Sequence, residues 1–340
     1  MRSAQSYPID GFASSAGRLT VGPASLTGYW VNLTAGLPRS PPRSWDWRTA
    51  YDSVDRSVIM FGGCALSNQL PCRNQTWSWN GSAGWRLLNN GSRPSPSARQ
   101  GPMMAYDPKM GAVILFGGDR LGQAMSDTWA WKGGRWSNIS SKVGTAPAAR
   151  FDAEMAWDPA VSAIVLFGGS WCVLSGCTDT WEFHGKWVQV TTATDPPGRN
   201  YYGLVYDRAA HALILSMGQA YGPNGWYALN DTWTFNGTAW IPWRTAHAPP
   251  PEMQAVMAYD AAQRCIVYAP VGTGATWVFR GGDWHNITQS LNGSPPSLAL
   301  PAFAYDARTG SVIMNGGATG VPLGGGAYGN ATTDETWVWA

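Results

Sequence analysis

The sequence repeats one plan six times, with a period of about fifty residues that is typical of propeller and solenoid folds. Aligned on an aromatic–Asp pair, the copies contain Tyr51-Asp52, Tyr106-Asp107, Trp157-Asp158, Tyr206-Asp207, Tyr259-Asp260 and Tyr305-Asp306. A polar turn and a short apolar run, such as VIMFGG or VILFGG, follow each pair. Short β-branched runs bounded by turn residues predict buried strands. Helical repeats are excluded because nothing shows a 3.6-residue period.

A Thr-Trp pair opens the second half of each copy, at Trp77, Trp129, Trp181, Trp233, Trp277 and Trp337. In the first five copies a Gly turn and another Trp follow, as in WAWKGGRW at 129–136. Asn-Gly and Gly-Gly supply the positive φ angles that tight hairpins need. Each copy therefore predicts four strands, and the outermost strand begins at Trp85, Trp136, Trp187, Trp240 or Trp284.

The sixth copy lacks its outermost strand, because the chain ends at Trp337-Val-Trp339-Ala340. Near the other end, YWVNLT at 29–34 matches RWSNIS at 135–140 and DWHNIT at 283–288. The N-terminal segment 28–34 is therefore predicted to complete the last sheet and close a ring. Closure removes the exposed edges that an open sheet would present.

These copies resemble Kelch repeats, of the kind found in the central domain of galactose oxidase. The resemblance implies an all-β, six-bladed β-propeller with four-stranded antiparallel blades. It covers a single propeller at 28–340, with repeats at about 43–88, 97–140, 148–191, 197–244, 250–288 and 298–340. Residues 1–27 form an N-terminal extension without the apolar segment of a signal peptide, and an inter-subunit or anchoring arm is one interpretation of it.

Composition excludes two kinds of partner. The 340 residues carry a formal net charge of +2 and no basic run, which gives no case for nucleic acid. No apolar stretch approaches the length of a membrane span. The 21 Trp mostly occupy repeat positions, and we interpret them as core residues.

The positions of the asparagines indicate an extracellular protein. Ten Asn stand in N-x-S/T sequons: Asn32, Asn74, Asn80, Asn90, Asn138, Asn230, Asn236, Asn286, Asn292 and Asn330. Sequons mark glycosylated surfaces in secreted proteins. A preference of the repeat for Asn-Gly and Asn-Asp-Thr could explain some of them. It explains Asn32, Asn138 and Asn286 less easily, since these lie within outermost strands. We expect covalent N-linked glycans and an extracellular or cell-surface location.

The five cysteines agree with that location. Cys64 and Cys72 flank one inter-strand loop, and Cys172 and Cys177 flank the equivalent loop two repeats later. Such pairs predict disulfides formed in an oxidising compartment. Their spacing does not fit a zinc site. Cys265 lies in a buried run and is predicted to be a core thiol.

No catalytic motif or metal site is recognisable. The four His, at positions 184, 211, 247 and 285, lie at scattered points of the repeats. Kelch-type copper oxidases need a His pair and a Cys-crosslinked Tyr at the centre of the propeller, and this chain offers no such pair. We therefore expect no catalytic residue, metal or cofactor.

Charged residues at the start of the innermost strands form the first candidate site. Seven residues before the aromatic–Asp pair stand Arg99, Arg150, Arg199 and Glu252, with Arg43 one place off in the first repeat. In Kelch propellers this Arg lies near the mouth of the central channel. Together with Asp46, Asp152 and Glu154 these residues predict a polar funnel. Two interpretations stay open: the arginines bind carbonyls and carboxylates structurally, or they form a recognition site.

The loops after the second strand of each blade form the second candidate surface, at 64–76, 119–128, 170–180, 219–232 and 318–336. Propellers usually carry function on long loops at one rigid face. The aromatics expected there are Trp171, Tyr201, Tyr202, Tyr221, Trp226, Tyr227 and Tyr328. Each could anchor a partner or stack on a sugar.

Two functions are compatible with the sequence, since fold alone does not give function. The leading hypothesis is an extracellular, glycosylated, non-enzymatic module that binds other protein subunits, including copies of itself in a cell-surface structure or filament. The alternative is a carbohydrate-binding or carbohydrate-active protein that uses the funnel, with Asp152 and Glu154 as acid and base.

Overall fold

Six four-stranded antiparallel sheets are arranged as the blades of a β-propeller, as the repeats predicted. The computed structural model describes residues 28–65, 72–171, 177–270, 273–291, 293, 297–319 and 331–339. The N-terminal extension 1–27 lies outside these residues. Within the described chain no helix has the length and hydropathy needed to cross a bilayer.

In the described part of the chain, thirty strands and four short 3-10 helices make up the regular structure. The 3-10 helices are Thr34–Gly36, Gly81–Ala83, Ser140–Lys142 and Thr288–Ser290. The strands in chain order are β1 (Trp30–Asn32), β2 (Trp45–Asp52), β3 (Ser57–Cys64), β4 (Thr76–Trp79), β5 (Trp85–Asn89), β6 (Met103–Asp107), β7 (Ala112–Phe116), β8 (Asp119–Arg120), β9 (Gln123–Ala124), β10 (Thr128–Lys132), β11 (Arg135–Asn138), β12 (Glu154–Asp158), β13 (Ala163–Phe167), β14 (Thr180–Phe183), β15 (Trp187–Val190), β16 (Gly203–Asp207), β17 (Ala212–Ser216), β18 (Gln219–Gly222), β19 (Gly225–Ala228), β20 (Thr232–Phe235), β21 (Trp240–Pro242), β22 (Met257–Asp260), β23 (Cys265–Tyr268), β24 (Trp277–Arg280), β25 (Asp283–Asn286), β26 (Ala302–Asp306), β27 (Ser311–Asn315), β28 (Ala318–Thr319), β29 (Ala331–Thr332) and β30 (Thr336–Trp339).

Each blade runs from an innermost to an outermost strand. From the inside outwards, blades 1 to 6 are β2-β3-β4-β5, β6-β7-β10-β11, β12-β13-β14-β15, β16-β17-β20-β21, β22-β23-β24-β25 and β26-β27-β30-β1. In blade 6 the N-terminal strand β1 pairs with β30, with Trp30 opposite Trp339 and Val31 opposite Val338. The predicted ring closure is therefore confirmed.

The apolar core lies between neighbouring blades. In one cluster Met103 and Ile114 of blade 2 pack with Ile164 and Phe183 of blade 3. Burial of these β-branched and aromatic side chains is the main force that holds the blades together.

The Asp of each aromatic–Asp pair forms the turn that follows it. The Oδ1 atom of Asp107 accepts hydrogen bonds from the backbone N–H groups of Lys109, at 2.8 Å, and Met110, at 3.0 Å. The other five copies have the same bond to the residue two positions on. A short carboxylate that bonds the backbone ahead of it is a frequent turn former. This contact explains why Asp ends every innermost strand.

The diglycines let adjacent blades touch through their backbones. The N–H of Gly118 donates to the carbonyl of Arg150 in the next blade, at 2.9 Å. A Cβ on Gly117, whose φ is +61°, would lie 2.5 Å from that carbonyl oxygen. Gly62, Gly168 and Gly316 make equally close approaches. The glycines are therefore required by the junctions between blades.

A ring of hydrogen bonds joins every outermost strand to the preceding blade. In each case the indole N–H of the Trp donates to the buried hydroxyl of a Thr-Trp pair. The bonds are Trp136–Thr76 (2.8 Å), Trp187–Thr128 (3.1 Å), Trp240–Thr180 (2.9 Å), Trp284–Thr232 (3.0 Å), Trp30–Thr276 (3.1 Å) and Trp85–Thr336 (3.1 Å). The ring therefore includes the junction between the last and first blades.

One loop carries the predicted disulfide between Cys64 and Cys72. Cys177 is also disulfide-bonded, whereas its predicted partner Cys172 lies outside the described residues. Cys265 is a buried free thiol, and burial raises its pKa to about 12.

Removing one bond of the Trp–Thr ring tests its contribution to stability. Thr180→Val leaves the buried indole N–H of Trp240 without an acceptor, so we expect a loss of about 1–3 kcal/mol in the free energy of unfolding. Trp240→Phe should lower the free energy of unfolding less in the Thr180→Val variant than in the native chain, because the two side chains interact. Chemical denaturation measures both, with exposed Thr191→Val as the control. Strictly additive losses would contradict a bond between the two side chains.

Candidate functional site

The repeated arginines are bound within their own blades. The guanidinium of Arg99 donates to both carboxylate oxygens of Asp127, at 2.5 and 2.8 Å, and to the carbonyl of Gly117, at 2.8 Å. The pairs Arg150–Asp179 and Arg199–Asp231 repeat this arrangement. Each guanidinium thereby ties the start of the innermost strand to the segment before the third strand.

These ion pairs are shielded and strong. Burial opposes ionisation of Asp127, but the hydrogen bonds and charge of Arg99 outweigh it, and the pKa of Asp127 is lowered. The indole of Trp129 donates to the same carboxylate at 2.7 Å. The contacts match the structural interpretation left open by the sequence, although the carboxylates are not those of the predicted funnel. The signal available in the sequence was the Asp two residues before Trp129, Trp181 and Trp233, in the three repeats that carry these arginines.

Arg43 and Glu252 lie apart from those pairs. Arg43 is on the surface and bonds Asp334 through Nε at 3.3 Å. Glu252 is half-buried and forms a β-bridge with Leu229. Burial raises its pKa to about 7. These contacts do not bring Arg43 and Glu252 together in a common funnel. The ligand-binding roles of both residues stay predictions.

A ring of left-handed residues surrounds one end of the central channel, and we call it the channel mouth. Its members stand two residues after the arginine positions: Asp46 (φ +60°), Gly101 (+55°), Asp152 (+54°), Tyr201 (+54°) and Leu300 (+46°). Backbone bonds link neighbours around the ring, with Asp152 N donating to Gly101 O and Tyr201 N to Asp152 O, both at 3.0 Å. Left-handed conformations of non-glycine residues store strain and recur at functional sites.

A charged cluster fills the mouth. Arg48 of blade 1 donates from Nη1 to Asp46 Oδ1 at 2.5 Å. Its Nε lies 3.3 Å from Glu154 Oε1, and its Nη2 lies 3.9 Å from Asp152 Oδ1. Arg48 therefore reaches from blade 1 to two carboxyl groups of blade 3. The Tyr201 hydroxyl lies beside Asp152.

Gly101 of blade 2 makes room for this contact between blades 1 and 3. A Cβ at Gly101 would lie 2.1 Å from Asp152 Oδ1 and 3.1 Å from Asp46 Oδ2. These two oxygens are buried without a hydrogen-bond partner among the described residues, whereas Arg48 Nε, which also makes no hydrogen bond, faces Glu154 in an ion pair. Buried unpaired polar atoms are costly and need an explanation.

The cluster favours protonated carboxyls. Burial raises the pKa of Asp152 well above its ordinary range, and the charge of Asp46 adds to this effect. Burial also raises the pKa of Asp46, and that of Glu154 to about 7, against the opposing charge of Arg48. One guanidinium therefore faces three carboxyl groups whose pKa values are all raised above their ordinary values.

Beneath the mouth, the channel holds a cavity of about 120 Å³. Arg48 and Glu154 supply its charged wall, and Met104, Met257 and Phe303 are among its apolar lining residues. At roughly 30 Å³ per molecule, the space suits a few waters rather than a large ligand.

Exposed aromatic side chains lie on the loops around the same mouth. Of the 21 Trp, only Trp171 and Trp226 are exposed, at 60% and 38%. Both belong to predicted loops, in blades 3 and 4. Tyr221 and Tyr227 are also exposed, and the Tyr221 ring packs edge-on against Trp226 at 5.2 Å.

These loops and the mouth share one face, which we call the upper face. It comprises the mouth ring, the hairpins β8–β9 and β18–β19, and residues 170 and 171. Bridges join the residue before each ring position to the start of a loop, at Gln100–Asp119, Phe151–Ser170 and Asn200–Gln219.

Two of the predicted loop aromatics, Tyr202 and Tyr328, do not contribute to the upper face as described. Tyr202 is buried and bonds the Phe167 carbonyl, so its role is structural. Tyr328 lies outside the described residues. Arg48 was not among the predicted site residues, although its place in the inner strand β2, two residues after Asp46, was a usable signal. In the described ranges, no group of three or more His, Cys, Asp or Glu side chains is arranged to hold a metal ion.

The sequence matches no family model and no curated protein. The functional argument therefore depends on the geometry of the upper face and the channel mouth.

The mouth cluster predicts that stability falls as pH rises. Carboxyl groups whose folded pKa is raised contribute stability below their unfolded pKa and lose it as pH passes the folded value. For Glu154 that loss spans pH 4.5 to about 7. We expect Asp152→Asn to gain about 1–3 kcal/mol relative to the native chain between about pH 5 and 8. Urea denaturation across this range measures the effect, and Asp55→Asn on an exposed turn is the control. An unchanged pH slope in Asp152→Asn would contradict a proton-loaded cluster.

Proposed function

We propose that this protein is a non-enzymatic, extracellular protein-interaction module that binds its partner on the upper face. The observation that carries the proposal is the exposure of Trp171 and Trp226 alone among the tryptophans, on loops of adjacent blades. Neither occupies a repeat position, so the propeller itself does not require them.

The physical reason is the cost of exposed indoles. A Trp in water forgoes the large apolar burial that its ring could provide, and Trp is enriched among the residues that dominate binding energy. Rigid scaffolds typically carry such residues on loops. Leu121, which is 82% exposed in the β8–β9 hairpin, extends the apolar surface to blade 2.

We further infer that the repeats are Kelch repeats. Supporting features are the diglycines at blade junctions, the Arg–Asp pairs and the indole–hydroxyl ring, which together give a structural role to the motif residues quoted above. Protein binding is the common use of propeller faces, which agrees with the proposed partner class.

Sequon placement supports glycosylation and thus an extracellular location. Of the sequon asparagines, Asn32, Asn90, Asn138, Asn236 and Asn286 are exposed, and Asn74, Asn80 and Asn230 are intermediate. Asn292 and Asn330 lie outside the described residues. The buried asparagines are Asn89, Asn200 and Asn315, and none belongs to a sequon.

On outermost strands the sequon also has a structural role. Asn286 Oδ1 accepts the N–H of Thr288 at 3.0 Å, and Thr288 Oγ1 accepts the N–H of Thr276 at 2.9 Å. The same contacts recur at Asn32–Thr34 and Asn138–Ser140. They use the Asn oxygen, and the amide nitrogen that would carry a glycan donates no bond to the described residues. The same sequon can therefore make these structural hydrogen bonds through the Asn oxygen and carry a glycan on the Asn nitrogen.

Two variants separate these roles at Asn286. Asn286→Asp keeps the acceptor oxygen but removes the sequon, so we expect the loss of one glycan mass with little change in stability. Thr288→Ala removes the sequon and the cap of the third strand, so we expect the same mass loss and about 1 kcal/mol of destabilisation. Intact-mass spectrometry of protein from a glycosylating secretory host measures the first effect. An unchanged mass in Asn286→Asp would show that this site is unoccupied.

The upper face can be tested with a second copy of the chain as partner. We expect the native protein to self-associate in sedimentation velocity. Trp171→Ala and Trp226→Ala should each weaken association by about tenfold or more, as hot-spot truncations do. Ile241→Ala, at an exposed apolar residue of an outermost strand, is the matched control. A monomer at all concentrations would contradict self-assembly, and equal effects of all three variants would exclude the upper face.

Carbohydrate binding is the second candidate function. The Glu154 carboxyl at the channel mouth favours it, because its side chain is 24% exposed and could accept hydrogen bonds from sugar hydroxyls. Glycan-array binding that Glu154→Gln or Asp152→Asn abolishes would support this candidate. Binding unaffected by Glu154→Gln, Asp152→Asn and Arg150→Ala would count against a channel site.

A further inference from the structure

The channel mouth is connected to both exposed tryptophans through Phe151 and Asn200, the residues that precede Asp152 and Tyr201 in the sequence. In blade 3, Asp152 directly follows Phe151, which bridges Ser170 and packs against the Trp171 ring at 6.0 Å. A shift in the backbone at Asp152 therefore moves the support of Trp171. The φ of +89° at Trp171 shows that this side chain is held in an unusual backbone conformation.

Blade 4 has the equivalent connection. Tyr201, whose N–H bonds the carbonyl of Asp152, directly follows Asn200. Asn200 bridges Gln219 at the start of the β18–β19 hairpin, which carries Trp226. The Asn200 side chain also donates to the Ser170 hydroxyl beside Trp171. One network thus joins the mouth, the blade 3 loop and the blade 4 hairpin.

The charge of this network depends on protons. The titratable and charged groups that face the Asp46–Asp152 pair are Arg48 of β2, Glu154 of β12, Tyr201 before β16 and Asp119 of β8. Arg48 is the one cation among them. Full ionisation would leave several carboxylates in a buried space against one guanidinium, and such uncompensated charge is costly.

We propose that protons held by the channel-mouth cluster control partner binding at the upper face, an inference that rests on the proposed function. With one proton shared between Asp46 and Asp152, the two carboxyl groups sit together over Gly101, and the loops keep the arrangement described here. When that proton leaves, repulsion between the two carboxylates displaces the mouth residues and, through Phe151 and Asn200, both tryptophans. The partner binds the protonated arrangement better, so affinity falls as pH rises.

The raised pKa values agree with this direction. Glu154, with a pKa of about 7, releases its proton within the physiological range, and burial with the charge of Asp46 raises the pKa of Asp152 well above its ordinary range. A ligand can shift such an equilibrium only through different affinities for the two arrangements. Binding should therefore also raise the pH at which the cluster titrates, because the coupling is reciprocal.

Fluorine NMR of protein labelled with 5-fluorotryptophan tests the connection without any partner. Trp171→Phe and Trp226→Phe assign the two resonances. We expect both resonances of the full chain to shift with a midpoint near pH 7, where Glu154 of the cluster titrates. In Asp152→Asn the shift should be lost or its midpoint moved. In Asp55→Asn, the exposed control, it should remain.

Sedimentation velocity at about pH 5.5 and 8.5 then tests the regulation. We expect self-association to be about tenfold weaker at the higher pH, which is within the usual range of coupling between two sites. Resonances that do not titrate, or that titrate identically in Asp152→Asn, would overturn the proposal. Titrating resonances with pH-independent association would overturn the regulation and leave the proposed function standing. Absence of association at both pH values would instead contradict the self-assembly that the regulation presupposes.

Discussion

The indole–hydroxyl ring is the contact that fixes the outermost strands around the apolar core, and the closed arrangement of the blades depends on it. Each outermost strand lies at the solvent edge of its blade, where apolar packing is weakest, and one hydrogen bond from a buried Trp fixes it to the preceding blade. Six such bonds close on themselves only because β1 supplies Trp30 to the last blade. With the blades fixed in this way, backbone contacts at the diglycines and at the channel mouth become possible. The upper face is then a rigid support for loops that vary in length.

Most of the fold could be predicted because a repeat multiplies weak local signals. A single Gly-Gly or Thr-Trp indicates little, whereas six aligned copies indicated four strands per blade, the closing strand and the loops that vary. The Cys64–Cys72 disulfide followed from the same alignment. What the repeat could not show was the direction of side chains near strand starts. Arg99, Arg150 and Arg199 stand where a funnel was one expectation, but the Asp before each Trp binds them inside the blade.

The candidate site was harder to predict because it breaks the repeat. Arg48 has no counterpart in the other copies, and its partners Asp152 and Glu154 belong to a blade two positions away. Gly101 is needed because two carboxyl groups lie close over it and because its φ is +55°. Contacts of this kind depend on the curvature of the ring, which sequence spacing does not contain. The exposed tryptophans were visible as departures from the repeat, and their exposure on one face gives the upper face its proposed role.

Hydrogen exchange of the Trp indole N–H groups, followed by ¹⁵N NMR, tests the account most directly. The account predicts that the indoles of the ring, Trp30, Trp85, Trp136, Trp187, Trp240 and Trp284, exchange slowly and at similar rates, since opening any one requires separation of two blades. The indoles of Trp171 and Trp226 should exchange at once. Fast exchange of Trp30 or Trp85 alone would show that the ring is not closed in solution. Protection of Trp171 and Trp226 in the monomer would show that the upper face does not offer them to a partner.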